Sequence, residues 1–343
     1  MENKNSTLYF FEGLACIFVV LIHSSFSGRA RYIVALGRFA VPLFFTVSGY
    51  FLYTRNSISN SFRVAAKKKI KHFFSIFIVL WLVHMIYSQL EWIYLGNNIG
   101  DWFILKFTGA NIFNMILFNH GELLSINGSY TPDHLWFVLA MVYVYVFLYF
   151  VSNYIDKIAM PLAVFLLAGL YFFQYTMRNY SFAIGGGYEI GITVFVINWL
   201  FDGLTFVLMG MCIAKYKLLF TKKNYSLVLL PVGILLTIFE KSVIGEIDVY
   251  FGTLLILLSI WNISLKFNMK DGLFSWIGKN LSVWVYYVHV IVKAIIIDFV
   301  PVQFGIKILD NKLFFSMEII IGSIIVSLLI HFIRTGAIFS DSK

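Results

Sequence analysis

Residues 12–50, EGLACIFVVLIHSSFSGRARYIVALGRFAVPLFFTVSGY, decide the fold class. Two apolar stretches flank a short polar and basic break, and they carry the ionisable His23 and Arg38, together with Pro42 and a Ser-Gly-Tyr run. An ionisable group inside a membrane-length stretch is costly, so it needs a partner or a task.

The rest of the chain extends this reading. Of 343 residues, 60% are hydrophobic and only 13% charged, and apolar runs of membrane-spanning length recur from end to end. Such a pattern excludes a soluble domain and predicts an all-α integral membrane protein, because backbone in lipid must satisfy its own hydrogen bonds and these runs are too long and uniform for barrel strands. About ten spans are expected as a single transmembrane domain over 1–343: 8–25, 33–54, 73–95, 134–152, 159–176, 193–214, 226–240, 249–265, 281–299 and 313–333. The first is read as a retained span, since Glu12 interrupts it and no small-x-small cleavage site follows.

A net charge of +9 in a soluble chain would point to nucleic acid. Here 17 basic residues fall in alternate segments, densest at Arg63, Lys67, Lys68, Lys69 and Lys71, against 7 in the opposite set. This asymmetry predicts a cytoplasmic location for both termini and no nucleic-acid partner. Residues 96–133 form a long outer segment in which Lys106 and two asparagines weaken a lipid-facing reading; a membrane-surface or re-entrant helix is expected. Cys16 and Cys212 both lie in apolar spans, so neither a disulfide framework nor a thiolate metal site is expected.

Depth sorts the polar candidates. At about 1.5 Å per helical residue, Glu12 lies near the inner end of the first span and His23 about 16 Å further out. Arg38 enters the second span from outside and shares the depth of His23. A desolvated, neutral histidine can accept a proton from a hydroxyl, which makes His23 a candidate general base; the alternative is a histidine satisfied by a neighbouring helix. Arg38 has the chemistry to polarise an acyl carbonyl, or simply to snorkel to headgroups. Lys68 and Lys71 stand at i, i+3 with Arg63 nearby, a set able to grip donor phosphates or only to anchor the chain on its inner side. Pro42 opens the helical ladder near its preceding turn. Farther on, Asp133, His134 and Trp136 stand at the outer mouth of the fourth helix, and His289 and Lys293 share one face of the ninth. Asp202 and Asp298 are candidate partners for these bases. None of these spacings marks a metal site or a hydrolase triad.

ACIFVVLIH followed by GRFAVPLFFTVSGYFLY resembles the opening helices of the acyltransferase-3 family, bacterial integral-membrane O-acyltransferases of cell-surface glycans. The basic stretch to Lys71, DHLWFVLAMVYVYV, FVLMGMCIAKYK and WIGKNLSVWVYYVHVIV are similar to later segments of that family in the same order, over roughly residues 8–295. The resemblance implies ten helices in a bacterial cytoplasmic membrane, acyl-CoA (acetyl-CoA) as cytoplasmic donor, and an envelope or lipid-linked glycan as acceptor. It casts His23 as the essential first-helix histidine, and Lys68 and Lys71 as the basic donor pair. His134, Trp136 and His289 are then candidates for the acceptor side. The family usually carries an arginine eleven residues before the histidine, where this chain has Glu12, so Glu12 belongs to the donor region with its charge reversed. The family also includes the membrane portion of serine racemases, which leaves a non-catalytic transporter or envelope-assembly role as the alternative; a second copy of the chain is an open option as partner.

Overall fold

The computed structural model describes residues 5–23, 31–56, 59–119, 121–124, 135–185, 188–304 and 312–336. Helix α1 (Ser6–Ile22) is followed by α2 (Arg31–Gly37), α3 (Ala40–Arg55), α4 (Ser59–Tyr94), and the short α5 (Ile99–Lys106) and α6 (Gly109–Phe113), the last continuing as a π-helix, Asn114–Phe118. Then come α7 (Leu135–Val151), α8 (Ile155–Thr176), an antiparallel hairpin of β1 (Ser181–Gly185) and β2 (Tyr188–Gly191), and α9 (Ile192–Val196). A second π-helix (Trp199–Leu204) leads into α10 (Thr205–Lys215), α11 (Lys217–Lys222), α12 (Ser226–Ile244) and α13 (Phe251–Lys266). The chain ends with α14 (Leu273–Asn280), α15 (Ser282–Phe304) and α16 (Lys312–Thr335).

Among the described residues, five helical stretches are long and apolar enough to cross a bilayer: Arg31–Arg55, Ser61–Tyr94, Ile155–Thr176, Ser226–Ile244 and Phe314–Thr335. A sixth is added if α14 and α15, bent by 79° at their junction, form one span. Helices α1, α7 and α13 are apolar but shorter, at 16 or 17 residues.

The structure redraws two of the expected spans. The basic stretch before residue 73 is no loop: α4 runs unbroken for 36 residues, about 54 Å at 1.5 Å each, against a hydrocarbon core of about 30 Å. The expected span 193–214 is broken instead of continuous. Asn198 leaves helical geometry (φ −142°, ψ 179°) and its side chain accepts from the amides of Leu200 and Phe201, capping a fresh helical start. The outer segment 96–133 forms short helical pieces, in which buried Lys106 donates to the Glu122 carbonyl at 3.0 Å.

The chain divides into two compact units, Met1–Phe44 with Tyr216–Lys343, and Phe45–Lys215. In the first, α1 and α14 touch backbone to backbone. A Cβ on Gly13 would stand 2.2 Å from the Phe274 carbonyl oxygen, and one on Gly278 would stand 1.8 Å from that of Tyr9, so only glycine permits the crossing. Cys16 and Val20 of α1 pack there with Ile277, Leu281 and Val285, and with Phe315 and Ile319 of α16. Polar bonds fasten the same corner: Thr7 donates to the Phe267 carbonyl at 2.8 Å and Ser275 to that of Ser6 at 2.9 Å.

In the second unit α3 and α10 cross in the same manner. Gly49 faces the Val207 carbonyl and Gly210 the Thr46 carbonyl, so the Ser-Gly-Tyr run and the glycine of FVLMGM form one contact. Helix α4 packs along α7, with the Phe73 ring stacked on Tyr145 and the Arg63 guanidinium 4.6 Å from the centre of Tyr149.

Candidate functional site

His23 is the last, C-capping residue of α1, its amide bonded back to the carbonyls of Val19 and Val20. The carbonyl end of a helix dipole favours positive charge, which suits a base that becomes an imidazolium when it accepts a proton. The imidazole lies stacked on that of His289, with ring centres 5.1 Å apart and planes at 27°. His289 is fully buried on α15. Its Nδ1 faces two acceptors, the Tyr286 carbonyl at 2.8 Å and that of Val285 at 3.2 Å. Nδ1 therefore carries a hydrogen, which in a neutral ring leaves the lone pair on Nε2. The Tyr286 ring packs against the same imidazole at 5.8 Å.

Two cations share this end of the first unit. Lys293, one turn beyond His289 and buried, and Arg38 both lie within electrostatic reach of His23. Arg38 sits in the break between α2 and α3. There Pro42, in the first turn of α3, has no N–H to offer the Arg38 carbonyl, so the ladder opens where the sequence placed it. The guanidinium is paired: Nη1 donates to Asp248 Oδ1 at 3.0 Å, with the two side chains 24% and 16% exposed.

The first unit thus brings His23, His289, Lys293 and Arg38 together. Glu12 lies on α1 of the same unit and is 3% exposed, enclosed by protein at the end of α1 that meets α14. In the second unit, Arg63, Lys68 and Lys71 are exposed on the first turns of α4, and a helical i, i+3 spacing puts Lys68 and Lys71 on one face. Trp136 is largely buried, its ring 5.8 Å from Phe45, and its carbonyl accepts from the Asn119 amide at 3.0 Å. Asp202 is buried in the second π-helix. Asp133 and His134 lie outside the described residues. Among the described residues no group of three or more His, Cys, Asp or Glu side chains is placed to hold a metal ion.

Two acids escaped the sequence reading, Glu246 and Asp248 in the turn between α12 and α13. Glu246 meets Lys241 at 3.0 Å and Arg31 at 3.4 Å. Burial alone would raise its carboxyl, but the hydrogen bond from Lys241 and the charges of Lys241, Arg31 and Arg38 hold it below its ordinary value. The available signal was density: two carboxylates within three residues, in a chain with only 17.

A family model described as an acyltransferase domain, acyltransferase-3, matches residues 8–333, from the first turn of α1 into the last turns of α16. The chain belongs to the acyltransferase-3 family. No curated protein and no solved structure matches it. As an acyltransferase-3 protein it is a multi-pass membrane acyltransferase, and the match covers both the α1 end that holds His23 and the α15 segment that holds His289.

Proposed function

We propose that this acyltransferase-3 protein is an O-acyltransferase, in the simplest case an O-acetyltransferase, of a bacterial cytoplasmic membrane. It moves an acyl group from cytoplasmic acyl-CoA to a hydroxyl of a cell-surface or lipid-linked glycan. In this reading ten helices cross the bilayer and both termini are cytoplasmic. The observation that carries it is the stack of His23 on His289, beside Arg38, in a chain of this family.

The chemistry follows from these side chains. His23 accepts the proton of the acceptor hydroxyl as its oxygen attacks the thioester carbonyl. The tetrahedral oxyanion develops next to a positive field, to which Arg38 and Lys293 contribute. Collapse of this intermediate breaks the C–S bond, and the departing CoA thiolate takes the proton back from the His23 imidazolium. His289, its tautomer fixed by the α15 carbonyls, keeps the His23 ring in plane. Arg63, Lys68 and Lys71 supply cations for the CoA phosphates, and His134 and Trp136 belong to the acceptor side.

Membranes carrying the protein, incubated with acetyl-CoA radiolabelled in the acetyl group, should transfer stable label to a glycan or lipid fraction, and membranes carrying His23→Ala should not. Label absent from both would favour the non-catalytic reading, a transporter or envelope-assembly partner.

A further inference from the structure

The turn between α12 and α13 is built more firmly than a surface connection needs to be. Helix α12 ends at Gly245, whose φ of 92° is open to glycine and strained for other residues. The buried Tyr250 hydroxyl donates to the Gly245 carbonyl at 2.9 Å and closes the turn on itself. Buried Glu240 then accepts from the amides of Phe251 and Gly252 at 3.2 and 3.0 Å, capping α13 with its carboxyl oxygens. Within the turn the residues alternate. Ile247 and Val249 are buried, whereas Glu246 and Asp248 meet basic side chains. Glu246 is taken up by Lys241 and Arg31, leaving Asp248 to Arg38, 210 residues away in the chain.

A guanidinium on a flexible stem at the break between two helices has many rotamers open to it, and an oxyanion partner is useful only if it is in place before charge develops. The pairing uses one Nη1 of a group with five donors. We propose that Asp248 is a positioning residue for acyl transfer, holding Arg38 at the His23 end of the first unit with its remaining donors available to the developing oxyanion. This inference rests on the acyltransferase reading, in which Arg38 acts on that oxyanion.

A merely structural ion pair would hold α2 to the turn and nothing more, so the test separates kcat from fold. Acetyl transfer is measured in proteoliposomes for wild type, Asp248→Asn, Asp248→Glu and the charge-swapped double variant Arg38→Asp with Asp248→Arg, alongside melting in detergent. Asp248→Asn is expected to lower kcat about 10- to 100-fold, the scale of a 1 Å misplacement, with KM for acetyl-CoA within about twofold. Asp248→Glu should recover part of the loss. The double variant should regain the wild-type melting temperature and remain inactive. Wild-type kcat in Asp248→Asn, loss of kcat only in step with loss of folded protein, or a double variant active as well as stable would each overturn the inference while leaving the acyltransferase reading intact. A wild-type protein that transfers no label overturns that reading, and the inference falls with it.

Discussion

Replacing Gly278 by alanine adds one methyl group at the contact between α1 and α14, and the structure sets the size of the response. The new Cβ would lie 1.8 Å from the Tyr9 carbonyl oxygen, 1.2 Å inside the 3.0 Å that real Cβ atoms keep. The obstacle is backbone, so the helices must part by about that much. Overpacking of this kind costs roughly 1–3 kcal/mol. The functional cost should be larger. His23 rides on α1 and His289 on the helix that follows α14, and a displacement near 1 Å is worth about 100-fold in rate when it separates reacting groups. Gly13→Ala, with 2.2 Å to the Phe274 oxygen, demands 0.8 Å and should be milder in both respects. Gly272→Ala, with nothing within 4 Å, should be silent. Label transfer from acetyl-CoA and thermal melting in detergent give the two readouts. Wild-type transfer and melting in Gly278→Ala, or an effect of Gly272→Ala equal to that of Gly278→Ala, would refute the account of this crossing.

Loss of the proton acceptor in His23→Ala should lower transfer by about 10²- to 10⁴-fold with normal membrane insertion, and near-normal rates would make the histidine structural. His289→Phe preserves a stacked ring and should retain clearly more activity than His289→Ala; equal losses would assign the role to the imidazole nitrogens instead. Glu12 is 3% exposed, so Glu12→Ala should cost more in denaturant titrations than the about 0–1 kcal/mol of an exposed ion pair. A cost below about 1 kcal/mol would mean a solvated carboxylate. The Glu246 carboxyl, held below its ordinary value of 4.5, contributes stability that is present above that value and fades as the pH falls through the depressed one. Because the side chain is half-exposed the contribution is screened, about 1 kcal/mol at most, and Glu246→Gln should flatten the acid limb of melting temperature against pH; an unchanged limb would show that other carboxylates govern it.

Apolar run length made the helices legible in the sequence, and an ionisable residue in such a run marked His23. Its neighbour could not be read the same way. His289 shows a helical spacing to Lys293 but nothing of the residue 266 positions earlier on which its ring lies. The glycine crossings are hidden for the same reason: Gly13 and Gly278 are unremarkable singly, and only the approach of two backbones gives them meaning. Depth along one helix places Glu12 near the inner end of the first span but says nothing of the protein that encloses it. The partner of Arg38 was hidden too, because Asp248 stands 210 residues away in the chain. Asn198 was passed over as one polar residue in an apolar run, although its capping oxygen is what breaks that run into two helices.

The α1–α14 crossing also acts as a datum for the height of the His23 ring. Ten residues of helix separate Gly13 from His23, about 15 Å of rigid rod measured from a contact that cannot slide without backbone collision. A residue inserted into that rod would lift the imidazole by about 1.5 Å and swing it by about 100°, off the face of His289 altogether. Residues added before Ser6 would leave the gauge untouched. Length between residues 13 and 23 is therefore a dimension of the site itself, as fixed as the identity of the histidine at its end.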